Sequence, residues 1–551
     1  MGTTRAGAVR ARRRRRAVAA AGTALALVTP LACGFSATPI GADVAGAVQP
    51  AEAAPAETLL TWLDGGATTA SQQLVEGRIG LDRDRTAPVS RVRLLLDGAR
   101  LVALPAACRP STVTRLRSWF DDDELVCDLK GARDHLDVTV ITVAADASAA
   151  DAPRVTGRVV LSGGGERTTG LVTPREIEGG EPDLVPDLRL LSSPDFLNGD
   201  VGDLRQGPNS WTPARSENST NPAYERALDT ILDDWADLDP AGVLVAGDLV
   251  DGRWGYDDQD TGTFGPVDTP AQRKAAVRRA ARTYYPQWQQ RFDEHGLAVF
   301  PAIGDHEMGD NPWPQGKRDL APTFKSEWSR AFTQTASGDP LYADHPDGPA
   351  RLTAYAGRPT PDVQVVTLDL FDITPQRSRI GLDPQQRRWF AQVLRRADRD
   401  GVRWIVVQGH VPVVWPVPSR GSSDLHVPGG TRSKMWRLMK KYGVDLYLAG
   451  EVHDASTAVR DGIVQVAHGG IFQFGLTTAL TMDFYGDGLY LTLRDYDVRT
   501  AEAADGSRLW ETRRKGMPKR LSVQGGARVI GTASVRDGRL VGPSGVLRPI
   551  D

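Results

Sequence analysis

From residue 188 onward, short runs that are apolar at nearly every position alternate with longer segments whose apolar residues recur at helical spacing. Leu188-Arg-Leu-Leu-Ser192 is followed by a segment opened by Asn221-Pro222, in which Tyr224, Ala227, Leu228, Ile231, Leu232, Trp235 and Leu238 share one face. Gly242-Val-Leu-Val-Ala246 comes next, then a helical stretch near 272–295 and Ala298-Val-Phe-Pro-Ala-Ile303. A helix from Asp383-Pro384 precedes Trp404-Ile-Val-Val407, and one at 432–442 precedes Val444-Asp-Leu-Tyr-Leu448. Strands apolar on both faces need cover on both faces, and strands linked through helices run parallel. This region is therefore expected to be an α/β domain around a largely parallel sheet. Strands return from about 484, including Leu489-Tyr-Leu-Thr-Leu493, as a closing edge or small cap, with a C-terminal β extension over 501–551.

The preceding part has a different texture. Between 58 and 175, β-branched runs such as Leu136-Asp-Val-Thr-Val-Ile-Thr-Val143 and Val155-Thr-Gly-Arg-Val-Val-Leu161 are separated by Gly, Asp and Pro, the spacing of a small all-β sandwich. No catalytic constellation falls there, so residues 54–178 are expected to be an accessory domain. A Pro/Glu/Gly-rich linker, Thr173 to Asp183, leads into the α/β region, taken as 179–500.

Residues 1–53 run from a basic start (Arg5, Arg10, Arg12 to Arg16) through an apolar stretch, Ala17 to Val28, to Ala51-Glu52-Ala53. That is the layout of a secretory signal, and the apolar run is short of the ~20 residues of a membrane span. The expected location is secreted or cell envelope, with no stable membrane span after cleavage. Cys108 and Cys127 then remain, and in an oxidising compartment they most simply form one disulfide. With 66 Lys+Arg against 69 Asp+Glu the chain is near neutral, and mildly acidic once the leader is removed. Bulk charge thus gives no support for nucleic-acid binding, and none is expected.

Ligands of open α/β sheets gather at the carboxyl ends of strands. Those ends carry Asp195, then Gly247-Asp248-Leu-Val-Asp251, then Gly304-Asp305-His306-Glu307, then Gln408-Gly-His410, then Gly450-Glu451-Val-His453. Any one acid there could be a helix cap, and any one His a core residue. Five ends in succession, holding three of the eight His of the chain, point to a metal site.

The ordered set resembles the motifs of calcineurin-like metallophosphoesterases, the superfamily that includes purple acid phosphatases, over roughly 185–500. The resemblance implies a four-layer α/β/β/α sandwich, here preceded by the small all-β domain. It also implies a dinuclear site that hydrolyses a phosphomonoester or phosphodiester by attack of a metal-bound hydroxide. Carried over residue by residue, Asp248 resembles the carboxylate bridging both ions. Asp195 and His453 resemble ligands of the first, and Asp305, His410 and Glu451 ligands of the second. His306, oriented by Glu307, resembles the group that assists the leaving oxygen.

Three positions depart from the pattern. Asp305 stands for the family's Asn, Glu451 for the first His of Gly-His-x-His, and Leu197 for a His that Asn198 or Asp200 could replace. Asp251 occupies the place of a metal-binding Tyr, which argues against a tyrosinate-bound iron. Four carboxylates leave two divalent ions nearly neutralised and favour harder ions, Mn, Fe, Mg or Ca, over a Zn pair. That charge balance suits a monoanionic diester at least as well as a monoester. The same departures motivate an alternative: a metal-binding surface protein with a degenerate, non-catalytic site. Arg253, Trp254 and Trp313, in long insertions beside the motifs, either face substrate or pack the loops on the core. His468 is read as a satisfied core histidine and the acidic turn Asp257 to Asp260 as solvated.

Overall fold

The computed structural model describes nine strands between residues 60 and 169 in backbone, and then residues 185–196, 222–250, 252–255, 265–414, 425–452, 455–470, 477–496, 498–500, 521–523, 526–536 and 538–549. The chain divides into two compact units, Met1–Ala56 and Glu57–Asp551, and all of these residues belong to the second. The leader segment, Leu197, Asn198, Asp200, Asp251, the turn 257–260, His453 and the side chain of Arg253 lie outside them.

The first nine strands are β1 (Leu60–Trp62), β2 (Gln72–Gly80), β3 (Arg91–Asp97), β4 (Ala99–Leu101), β5 (Cys108–Pro110), β6 (Glu124–Asp128), β7 (His135–Val143), β8 (Thr156–Leu161) and β9 (Glu166–Thr169). They form two antiparallel sheets, in the orders β1-β2-β7-β4 and β5-β6-β3-β8-β9. Within the second sheet Cys108 and Cys127 are directly opposed across β5 and β6.

The remaining elements build two larger sheets. One contains β10 (Leu188–Ser192), β11 (Val243–Val245) and β12 (Val299–Pro301), which are parallel. The other contains β13 (Tyr355–Thr360), β14 (Val363–Thr367), β17 (Trp404–Gln408), β18 (Leu446–Ala449), β19 (Ser456–Arg460) and β20 (Ile463–Ala467), in the order β13-β14-β17-β18-β20-β19. In it the four inner strands are parallel, and the edge strands β13 and β19 are antiparallel. A hairpin of β15 (Phe371–Thr374) and β16 (Arg377–Ile380) stands apart. The first sheet is extended antiparallel by β21 (Thr478–Phe484), β22 (Leu489–Asp495), β25 (Arg528–Arg536) and β26 (Arg539–Val541), while β23 (Val498–Thr500) pairs with β24 (Leu521–Val523). The expected C-terminal extension therefore supplies two strands of the seven-stranded sheet.

The helices are α1 (Pro222–Asp237), α2 (Pro270–Glu294), α3 (Gln315–Arg318), α4 (Ala321–Phe332), α5 (Pro384–Arg399) and α6 (Lys434–Lys441). Local chemistry sets their starts. Thr269 and Gln272 close a capping box on α2, Asp383 accepts the amides of Gln385 and Gln386 ahead of α5, and Ser433 accepts that of Trp436 in α6.

Alternation along the strands divides the core in two. Leu188 and Leu190 of β10, Leu244 of β11, Val406 of β17, Leu446 and Leu448 of β18, and Met482 of β21 belong to one buried cluster drawn from both sheets. Their neighbours Leu191, Val243, Ile405, Val407 and Tyr447 join a second cluster with Leu228 and Trp235 of α1, Trp288 of α2, Phe390 of α5 and Trp436 of α6. At about 1.5–3 kcal/mol for each large apolar side chain, this two-sided burial holds the parallel strands in register. No helix among the described residues is long and apolar enough to cross a membrane.

Candidate metal centre

The parallel strands β10, β11, β12, β17 and β18 all end on the same side of their sheets, and the residues just past those ends converge. Three of them, Asp195 (φ 58°), Asp248 (φ 59°) and Glu451 (φ 69°), occupy the left-handed backbone region, which is uncommon for residues other than glycine. The backbone there turns each carboxylate inward. Asp195, Asp248, Asp305, His410 and Glu451 are all buried.

His410 is the hub. Its Nδ1 donates to the Ala246 carbonyl at 2.8 Å, so Nε2 faces the cluster. Nε2 lies 3.0 Å from Asp305 Oδ1 and 3.3 Å from both Asp248 Oδ2 and Glu451 Oε2. Asp248 Oδ1 accepts the His306 amide at 3.0 Å, and its Oδ2, sealed from solvent, accepts no well-aligned hydrogen bond. The Glu451 amide donates to Asp195 Oδ1 at 3.2 Å. His306, the most exposed of these groups at 13%, holds Nε2 at 3.9 Å from Asp248 Oδ2 and at 3.9 Å from Asp310 Oδ1.

Glycines ration the space at the site. A Cβ on Gly304 would stand 2.1 Å from Asp248 Oδ1, and one on Gly247, itself at φ +94°, would stand 2.5 Å from His410 Nδ1.

The electrostatics show a surplus of negative charge. Burial, opposed by His410 and reinforced by neighbouring acids, raises the carboxyls of Asp195 and Asp248 above the ordinary range. Burial acts against the charged form of His410 too, but the carboxylates around it prevail and push the imidazole well above its usual value. Asp305 moves the other way: His306, His410 and the Asn311 amide outweigh its burial and hold it low. A cation bound among these groups would displace the protons that such shifts favour. Ligand atoms within 4.8 Å of one another form three sets: Asp195, Asp248 and His410; Asp248, Asp305 and His306; and Asp305, His410 and Glu451. An oxygen-rich donor set with one inward imidazole nitrogen fits one or two hard cations.

The structure thus brings Asp195, Asp248, Asp305, His306, His410 and Glu451 together, with Asp248 shared by two sets and His410 also in the set containing Asp195. Glu307 differs from its expected role of orienting His306. Its Oε2 accepts the amides of Gly304 (2.6 Å) and Asp248 (2.9 Å), and its Oε1 accepts that of Val250 (3.1 Å). This buried carboxylate, pushed up to about 7 by burial and by the Asp248 charge, clasps the Asp248 turn to the β12 end. Trp254 and Trp313 do not face the site. Trp254 stacks on Tyr284 of α2, and Trp313 donates Nε1 to the Met308 carbonyl and packs edge-on to Phe371. His468 is the core histidine expected of it. Thr478 gives its hydroxyl proton to Gly469, so it accepts from His468 Nδ1 while Nε2 accepts from Ser192.

Asn311 escaped sequence reasoning. Its amide donates to Asp305 Oδ2 at 2.9 Å, which turns Oδ1 toward His410. An Asn six residues past an acid in a Gly/Pro-rich loop carries little signal of its own.

Comparison with known proteins finds likenesses of three kinds. Residues 197–455, a little under half of the chain, match the family model of the calcineurin-like phosphoesterases. A stretch of 69 residues is 38% identical to an acid phosphatase of Aspergillus ficuum, a match spanning 12% of this chain and only 10% of that protein. Among solved structures, a purple acid phosphatase from yellow lupin (Lupinus luteus) seeds is 12% identical, with 80% of this chain and 72% of that one covered at a TM-score of 0.34. A 5'-nucleotidase described as putative, from Staphylococcus aureus, is 14% identical over 62% of this chain and 53% of its own, at 0.27. The strand-end acids and imidazoles that converge as described fall within or beside this stretch of residues 197–455, and it is this part of the chain that is similar to the calcineurin-like phosphoesterases.

Proposed function

We propose that this chain is an exported, metal-dependent phosphoesterase with a dinuclear site, acting on a monoanionic phosphodiester at least as well as on a monoester. The observation that carries the reading is the convergence on His410 Nε2 of carboxylate oxygens from Asp248, Asp305 and Glu451 at 3.0–3.3 Å, with Asp195 buried alongside. Export rests on the basic, apolar and small-residue layout of residues 1–53. We also read the domain as the four-layer α/β/β/α sandwich, preceded by the all-β domain of 54–178.

In this reading Asp248 would serve both ions, with Asp195 and His453 holding one and Asp305, His410 and Glu451 the other. A bound metal pair supplies the lowered pKa of a water nucleophile and the charge that clamps phosphoryl oxygens. Glu307 keeps the Asp248 turn in place, and Asn311 holds Asp305 in its working orientation. His306, the accessible imidazole, delivers a proton from Nε2 to the departing oxygen. Four carboxylates nearly neutralise two divalent ions, which lessens the pull on a dianion and favours Mn, Fe, Mg or Ca over a Zn pair.

The four-acid set also motivates the second reading, a metal-binding surface protein without turnover. Protein purified without chelator, analysed for metal and incubated with p-nitrophenyl phosphate and bis-p-nitrophenyl phosphate, separates the two. Hydrolysis supported by Mn or Fe is expected, whereas bound metal with no hydrolysis of either compound would establish the binding role.

A further inference from the structure

The metal centre leaves unused a concentration of positive charge on two surface helices. Between α5 and α6 runs a groove of about 400 Å³ lined by Arg387, Arg388, Lys434, Arg437 and Lys441, with Ala391 and Leu438 as its remaining lining residues. Lys434, Arg437 and Lys441 recur at three- and four-residue intervals, so they share one face of α6 and spread over ~10 Å of its axis. None of the five forms an ion pair among the described residues, and Lys441 lies over the Tyr442 ring at 5.0 Å. Basic neighbours just outside the groove are engaged: Arg396 by Asp344, Lys440 by Asp461 and Arg395 by the Tyr442 hydroxyl. Five cations without an ion pair among the described residues are thus gathered at the groove, in a chain whose Lys+Arg and Asp+Glu nearly balance.

Topology places this groove. α5 leads into β17 and α6 into β18, parallel neighbours whose carboxyl ends present His410 and Glu451. A helix that precedes a parallel strand runs back against it, so both helices begin on the metal-centre side of the sheet. Lys434 and Arg387, near the two helix starts, lie toward that side.

We propose that the groove binds a linear phosphate chain of the inorganic polyphosphate class. One phosphate group carries at most about two negative charges, too few for five aligned cations. No aromatic residue lines the groove, so it lacks the stacking platform used for single-stranded nucleic acid. The large apolar side chains exposed among the described residues, Val185, Leu341 and Val541, lie elsewhere, so nothing at the groove inserts into a lipid surface. Charge complementarity to a repeated phosphate backbone remains. The proposal is independent of hydrolysis, because binding needs neither metal nor turnover.

The test uses the full chain and fluorescently labelled medium-chain inorganic polyphosphate, followed by anisotropy. The wild type is expected to bind at low salt and to lose about a hundredfold in affinity between about 50 and 200 mM salt, as for roughly five neutralised phosphates. The double variant Arg388→Glu/Arg437→Glu should bind at least about tenfold more weakly while unfolding at the wild-type temperature and keeping any p-nitrophenyl phosphate turnover. If charge reversal impairs folding, Arg388→Gln/Arg437→Gln serves in its place. Absence of binding at low salt would overturn the proposal, as would undiminished binding by the folded variant. Capture by phosphatidylglycerol vesicles without polyphosphate binding would overturn it in favour of a lipid surface.

Discussion

Asp248 is the residue on which the site turns, because its carboxylate belongs to two of the three ligand sets and its turn is clasped by Glu307. Asp248→Asn should reduce bound metal and bring turnover to background, as measured by metal analysis beside the diester assay. His306→Ala should retain metal while lowering kcat ~10²–10⁴-fold, the range for a lost proton donor. Full activity in Asp248→Asn would remove the assignment. His468 gives a pH expectation. Burial lowers its pKa to about 3, so the folded state keeps it neutral while the unfolded chain protonates it near its usual value of about 6.5. Stability from this group is present above about 6.5 and is lost as pH falls toward about 3. His468→Gln should therefore flatten the fall in melting temperature between pH 7 and pH 4, read by calorimetry at each pH. The candidate ligands among the described residues were legible because each directly follows an apolar run or its last small residues. Their partners were not, since His410 meets Asp305 and Glu451 only when separate strands lie side by side. Trp254 and Trp313 were ambiguous for a related reason: an aromatic residue in a Gly/Pro-rich insertion reads alike whether it faces solvent or packs on Tyr284 and Phe371.

At the scale of elements, periodicity located the helices well, and the caps at Asp383 and Ser433 explain why α5 and α6 begin where they do. Helix α4 and strands β13 to β16 were not anticipated: β13, β15 and β16 are short, partly polar or edge segments, and α4 starts within a loop-like insertion. Among the N-terminal strands, the register opposing Cys108 and Cys127 has a measurable consequence. Opposed residues of an antiparallel pair have Cα atoms about 4.5–5.5 Å apart, within the span a disulfide bridges. Protein from an oxidising compartment should show neither thiol free to alkylation in non-reducing denaturant. Reduction should cost about 3 kcal/mol for a loop of this length. Alkylation of both would count against the disulfide and against export.

For the molecule as a whole, the concentration of buried acids means that the proposed metal would be a structural component as well as a chemical one. Chelation should lower the melting temperature, and Mn at about a hundred times its Kd should restore about 2.7 kcal/mol. A protein equally stable with and without metal would speak against a buried cation pair. The antiparallel pairing of β10 with β21 sets a further condition, because it joins residues separated by almost 300 positions, as in the Arg189 pairing with Asp483. The β10 end that carries Asp195 has β11 on one side and β21 on the other, and β21 leans in turn on β22 and β25. A growing chain therefore cannot flank the Asp195 turn on both sides until residues 478–484 have been made, so the metal centre is completed late in synthesis rather than as each ligand emerges.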